Sequence, residues 1–292
     1  MGYPDLLAKT REFVNVTQLM GALGAELRLR QTEQEGDPQV RDAMNAVLKN
    51  LEPGLLDGLE PGHVATVIGH LTSALQDALE FLSEPNRAPG WGYTDPAVLQ
   101  QRGRASRSVA RNFANLARQR PALDAALTDC DFLDVGTGVG WLAIEAAKLW
   151  PDMRIVGLDI WKPSLELAET NISAEGLQDR ITLRCQDVSD IDDKEAFDVI
   201  WLPSSFLPRQ VVDSALPRLN RALRPGGFLF FGGIPSRSDS LSQSLSDLEI
   251  FRRGGHPWRV EEITEQLRVT GFNDIEIVEG GGGNNSHIIA RC

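Results

Sequence analysis

Three acids and three glycines carry the chemistry that is legible along the chain. Asp134, Gly136, Gly138 and Gly140 stand in the stretch Phe132-Leu-Asp-Val-Gly-Thr-Gly-Val-Gly-Trp141. Glycines there permit backbone angles closed to other residues, and their missing β-carbons let a ligand approach the main chain. Asp159 ends the run Arg154-Ile-Val-Gly-Leu-Asp159, and Asp187 ends Arg180-Ile-Thr-Leu-Arg-Cys-Gln-Asp187. A carboxylate at the end of the second strand after such a turn lies where a doubly wound fold meets a ribose, and it can accept from both ribose hydroxyls. The dinucleotide fingerprint G-x-G-x-x-G needs glycine at 141, where Trp141 stands, so the spacing argues against NAD.

These groups need strands, turns and helices in a fixed order. Residues 130–135 are short and apolar, while Leu142, Ala143, Ala146, Ala147 and Trp150 recur at helical spacing, which predicts strand, loop and helix. Further strands are expected at 154–159, 180–187, 197–203 and 223–231, with a helix opened by Pro163 and another over 211–223 that Pro217 should kink. Ile275 and Ile277, then His287-Ile-Ile-Ala290, predict two antiparallel strands joined by a turn at 280–285. The first third is all-helical: 4–32, broken near Gly21 and Gly24, then 38–51 and 63–83. Residues 84–96, rich in proline and glycine, read as a linker, giving a helical region 1–95 and an α/β region 96–292. Trp91 and Tyr93 within that linker either anchor it to the core surface or cover the mouth of a site.

The pattern D-x-G-x-G-x-G from Asp134 to Gly140 resembles motif I of the class I S-adenosylmethionine-dependent methyltransferases. Phe197-Asp-Val-Ile-Trp-Leu-Pro203 resembles that family's motif IV strand, and Leu223-Arg-Pro-Gly-Gly-Phe-Leu-Phe-Phe231 its turn and fifth strand. The resemblance covers about 130–292 and implies a doubly wound, mostly parallel seven-stranded sheet with an antiparallel last strand. It implies S-adenosyl-L-methionine as cofactor, held by Asp134, Gly136, Thr137, Gly138, Gly140, Asp159, Ile160, Asp187, Val188 and Trp201, with Asp159 meeting the ribose hydroxyls and Asp187 the adenine amino group. Ser204, Ser205 and Phe206, with Trp91 and Tyr93, are the expected lining of the acceptor pocket. The helical residues 1–95 resemble the amino-terminal caps and dimerisation regions of bacterial natural-product methyltransferases, which implies a homodimer.

Composition narrows the acceptor. The net charge of −12 argues against a nucleic-acid substrate, because neutralising phosphates needs a basic footprint. No apolar run is long enough for a membrane span, and the start Met-Gly-Tyr-Pro-Asp has no leader composition, so a cytoplasmic protein is expected. Cys130, Cys185 and Cys292 have neither disulfide nor zinc spacing, and no acidic pair follows the fourth strand, so no metal is expected. Leu202-Pro-Ser-Ser-Phe206 lacks the Asn or Asp with Pro-Pro of amide and adenine amino methylases. A small organic oxygen, nitrogen or carbon nucleophile is the expected acceptor, with a cyclase-like enzyme of the same fold or a non-catalytic regulator as the other readings. Among the histidines, His63 and His70 read as packing or surface residues and His287 as structural, while His256, in a loop on the sheet's carboxyl side, is the candidate base. Arg104, Arg107, Arg111 and Arg118 share a helix face that either is solvated, grips an anion or pairs with acidic helices.

Overall fold

The computed structural model describes residues 2–237, 239–279 and 285–292, so the expected turn at 280–285 falls, except for Asn285, outside the described residues. The chain forms two compact units, Met1–Arg87 and Ala88–Cys292, which puts residues 88–95 with the larger unit rather than with the helices before them.

The smaller unit is three helices: α1 (Tyr3–Thr32), α2 (Pro38–Leu51) and α3 (Pro61–Ser83). The expected break in α1 does not occur. Gly24 sits where α3 passes close, a β-carbon there standing 3.7 Å from a Leu71 methyl, and this packing offsets the poor helix propensity of glycine. Leu27, Val64 and Ile68 form the unit's buried core, and the buried Glu26 pairs with Arg30 at 3.0 Å and Arg41 at 3.4 Å. Asp37 opens α2 by accepting the Val40 N–H at 3.0 Å. Leu6, Phe13 and Val14, on the amino-terminal half of α1, are exposed.

The larger unit begins with α4 (Pro96–Arg104), α5 (Arg107–Ala117) and α6 (Pro121–Thr128), then runs β1 (Asp131–Val135), α7 (Trp141–Leu149), β2 (Arg154–Asp159), α8 (Lys162–Ala174), β3 (Ile181–Cys185) and β4 (Phe197–Pro203). It continues through α9 (Arg209–Ala222), β5 (Leu223–Pro235), α10 (Ser240–Arg252), α11 (Val260–Val269), β6 (Asn273–Glu279) and β7 (Asn285–Arg291). The seven strands lie in the order β3-β2-β1-β4-β5-β7-β6. β1 to β5 are parallel, and β7 is antiparallel to both neighbours. Val199, Ile200, Leu202, Leu229, Phe230 and Phe231 are all fully buried, the continuous apolar reading of strands covered on both faces. Residues of α5, α6, α7 and α8 pack one face with Phe132, Trp201 and Phe230, while α9 and α11 pack the other with Leu133, Ile200 and Phe231.

Two local expectations change. β3 stops at Cys185, and Asp187 instead opens a short 3-10 turn, Val188–Asp190, by accepting the Ser189 N–H at 2.8 Å. A side chain that satisfies an orphan N–H in a turn competes with strand pairing. Pro217 lies inside α9, which runs through it. The arginine face is divided between α4 and α5, where Arg111 pairs with Glu145 of α7 at 2.7 Å and the Arg107 guanidinium lies 3.9 Å from the Trp141 ring centroid. Those two arginines dock helix on helix.

Candidate functional site

The carboxyl ends of β1 and β2 hold the glycine loop. Gly136, Gly138 and Gly140 have φ of 68°, 57° and 81°, a left-handed conformation that glycine adopts without strain. The loop is pinned at several points: Thr137 N–H donates to Leu158 O at 2.9 Å, and Gly138 N–H donates to Asp159 Oδ2 at 2.8 Å. Gly157 is needed beneath it, since a β-carbon there would stand 2.9 Å from Thr137 Oγ1.

Two carboxylates flank this loop, and neither forms an ion pair among the described residues. Asp134 is 1% exposed and accepts the Thr137 hydroxyl at 2.8 Å. Burial pushes its carboxyl up to about 7, with the Thr137 bond opposing and the Asp159 charge adding. Asp159 is half-buried, accepts Trp161 N–H on Oδ1 at 2.7 Å as well as Gly138 on Oδ2, and is also raised by burial, against those backbone donors. Each oxygen keeps a lone pair for another donor. Asp159 does not cap α8, whose N-cap is Trp161. Ile160 is 67% exposed beside it, and the half-buried Asp187 stands two residues beyond the end of β3, at the start of the 3-10 turn. Val188 and Trp201 are core residues: Val188 joins the cluster under β1, and Trp201, in register with Asp134, packs against Phe113 at 5.5 Å.

Beside these acids, the ends of β4 and β5 form a second wall. A β-carbon at Gly232 would strike the Trp201 indole and stand 3.1 Å from His287 Nδ1. Burial pushes the His287 imidazole down. Ser204 is buried, its hydroxyl donating to Gly232 O at 2.7 Å; the half-buried Ser205 lies against Gly233, where a β-carbon would stand 3.1 Å from its Oγ, and Phe206 is 42% exposed. Residues 88–95 run as a strap across the strand ends. Gly90 N–H donates to Arg252 O at 3.0 Å, the Trp91 ring meets Phe206 edge-on at 5.6 Å and Tyr93 at 5.1 Å, and the Trp161 indole N–H donates to Tyr93 O at 3.2 Å. The strap thus joins the β4 side of the mouth to the β2 side. His256 follows the same region: its N–H donates to Leu207 O at 3.2 Å, its Nε2 lies 3.5 Å from Glu262 Oε2, and its ring meets Trp258 edge-on.

Several site residues escaped the sequence reading. Gln100 of α4 accepts the Trp141 indole N–H at 2.8 Å and donates to Asn171 at 2.9 Å, and Asn171 donates to Val139 O at 2.8 Å. Gly103 lies so close to Val139 that a β-carbon would collide with it. α4 is therefore keyed to the back of the glycine loop by groups with no motif of their own.

Residues 132–227 match a protein-family profile described as a methyltransferase domain. These residues therefore carry a methyltransferase domain. The chain aligns with the release factor glutamine methyltransferase of Rhodopirellula baltica at 28% identity, over 54% of this chain and 51% of that one. It also aligns with methyltransferase GfsG of Streptomyces halstedii at 32% identity, over 48% of this chain and 57% of the other. The chain thus spans about half the length of these two relatives. Human N-acetylserotonin methyltransferase, solved in complex with SAM, shares the fold with a TM-score of 0.65 at 15% identity, over 100% of this chain and 99% of the other. Among the described residues, no helix is long and apolar enough to cross a membrane.

Proposed function

We propose that the protein transfers the methyl group of S-adenosyl-L-methionine to an oxygen, nitrogen or carbon of a small organic molecule in secondary metabolism. The observation that carries this reading is the pair Asp134 and Asp159, which flank a glycine loop and form no ion pair among the described residues. Two poorly compensated carboxylates favour a cationic ligand and disfavour the diphosphate of a dinucleotide. The glycine loop would hold the amino-acid end of the cofactor, Asp159 its ribose, and Asp187 with Ile160 its adenine. Bound there, the sulfonium supplies an activated methyl group, so the protein contributes placement and exclusion of water.

For the acceptor, Trp91, Tyr93, Ser205 and Phe206 form the proposed lining, with Ser204 fixing the turn from within. His256 is the proposed proton acceptor, and the Glu262 carboxylate beside its Nε2 would orient the ring and stabilise the imidazolium. The formal charge of −12 supports a small acceptor rather than a nucleic acid. The exposed apolar side chains Leu6, Phe13 and Val14 of α1 support a homodimer formed through the helical unit. We place the reaction in the cytoplasm. Calorimetry with S-adenosylmethionine, S-adenosylhomocysteine and NAD tests the cofactor reading: the first two should bind, and tight binding of NAD alone would overturn it. Turnover of labelled S-adenosylmethionine with candidate acceptors separates transfer from a cyclase-like or regulatory role.

A further inference from the structure

Helix α10 turns its leucines to solvent and its serines to the protein. Leu241, Leu245, Leu248 and Phe251 recur at spacings of four, three and three, which puts them on one stripe, and each is between 47% and 69% exposed. The opposite side is mostly polar and is held by polar contacts. Ser246 and Ile250 are buried there, Arg237 Nε donates to Ser246 Oγ at 2.8 Å, and Asp247 accepts Gln243 Nε2 at 2.8 Å and Arg259 Nη1 at 3.1 Å. A surface helix ordinarily buries its apolar stripe, so this one is built to meet something. Its four side chains expose on the order of 400 Å² of apolar surface, the size at which a patch marks an interaction site.

A membrane fits this face poorly. Helices that lie on membranes carry Lys and Arg along the polar side, whereas α10 carries Asp247 and Glu249 along its length and Arg252 only at its end, on a chain of net charge −12. The stripe is instead complementary to itself. A two-fold axis crossing the helix between Ser246 and Asp247 would lay a second α10 antiparallel on the first, with Leu245 against the second copy's Leu248 and Leu241 beside its Phe251. The same arrangement brings Asp239, at the amino end, toward Arg252 and Arg253 at the carboxyl end, and opposes the two helix dipoles. Two stripes bury on the order of 800 Å² of apolar surface, which with a polar rim reaches the ~1,000 Å² that a specific interface needs.

We propose that α10 is a two-fold seam at which two copies of this chain associate through Leu241, Leu245, Leu248 and Phe251. The seam belongs to the larger unit, whereas the exposed α1 side chains belong to the smaller, and it does not depend on the cofactor reading. It adjoins the chain that carries Trp91: Arg252 O accepts Gly90 N–H at 3.0 Å, and a β-carbon at Gly254 would stand 3.1 Å from Gly90 Cα.

Sedimentation of the full chain across micromolar concentrations tests this. Leu245→Glu alone and Leu248→Lys alone should each halve the mass of the wild-type assembly and raise its dissociation constant about 100-fold or more, because each change would bury two unpaired charges. Mixing the two variants should restore association, since the new carboxylate of one chain then meets the new ammonium of the other while Leu248 of the first meets Leu245 of the second. Both positions are exposed, so each variant should melt with the dilute wild-type chain. A monomeric wild-type chain, or single variants that keep the wild-type mass, overturns the seam whatever is found on α1. Variants that fall to half the mass and do not recombine in the mixture overturn the two-fold pairing.

Discussion

The Asp159 carboxylate accepts the backbone N–H of Gly138 at 2.8 Å, so the acid that ends the second strand also holds the glycine loop that follows the first. One side chain links the two halves of the site, and its loss must be felt twice. Its second oxygen holds the Trp161 N–H, which fixes the start of the chain that meets the strap at Tyr93.

Asp159→Ala is therefore expected to weaken S-adenosylmethionine binding by on the order of 10² to 10⁴, because two charge-assisted bonds of roughly 1.5–3 kcal/mol each are lost to the ribose. It should also lower the melting temperature by several degrees, since Gly138 and Trp161 lose their acceptor. Asp159→Asn, which keeps one acceptor oxygen, should lose less of each. Calorimetry and thermal melting on the same samples check this, and an unchanged dissociation constant would remove Asp159 from the site.

Asp134 makes the ligand-free protein less stable as pH rises. Its folded carboxyl titrates at about 7 against an ordinary 3.8, so between those values the native state holds the extra proton. Stability should fall with pH across that window and level off above it, the opposite sign to a salt-bridged acid. Asp134→Asn lacks this penalty and should be more stable than wild type at pH 8, by up to about 4 kcal/mol, with the gap closing toward pH 4. Urea unfolding at both ends of the window measures it; a gap that does not depend on pH would refute the assignment.

Gly232→Ala and Gly103→Ala separate packing from binding. At 232 the added methyl enters the Trp201 indole, which Phe113 backs at 5.5 Å, so the ring cannot retreat and a loss of about 1–3 kcal/mol is expected. At 103 the methyl collides with Val139 and should lift α4 from the glycine loop, weakening the cofactor more than the fold. Equal effects of the two variants on affinity would show that α4 does not support the loop.

His256→Gln is expected to lower kcat about 100-fold with a proton-bearing acceptor while leaving the dissociation constant of S-adenosylmethionine unchanged. Glu262→Gln should fall between, since the ring keeps its nitrogen but not its orienting charge. Wild-type turnover in His256→Gln would assign the imidazole to the packing of Trp258 instead.

The sequence alone determined the order of the strands β1 to β5, because each carries apolar residues over a short stretch bounded by turn formers. It also placed the acids and glycines at strand ends, where short-range spacing suffices to locate Asp134, Gly136, Gly138, Gly140 and Asp159. Periodicity misled at two places: α1 stays whole at Gly24 because the distant α3 packs there, and β3 ends early because Asp187 turns its carboxylate to the Ser189 N–H two residues on. Only the tertiary structure decided that Asp134 is buried against the Thr137 hydroxyl, that Ser204 turns inward to Gly232, and that Trp91 and Tyr93 belong to a strap joining Phe206 to Trp161. Those relations connect residues far apart in the chain through desolvation, side-chain direction and close approach. None of the three leaves a periodic trace in the sequence.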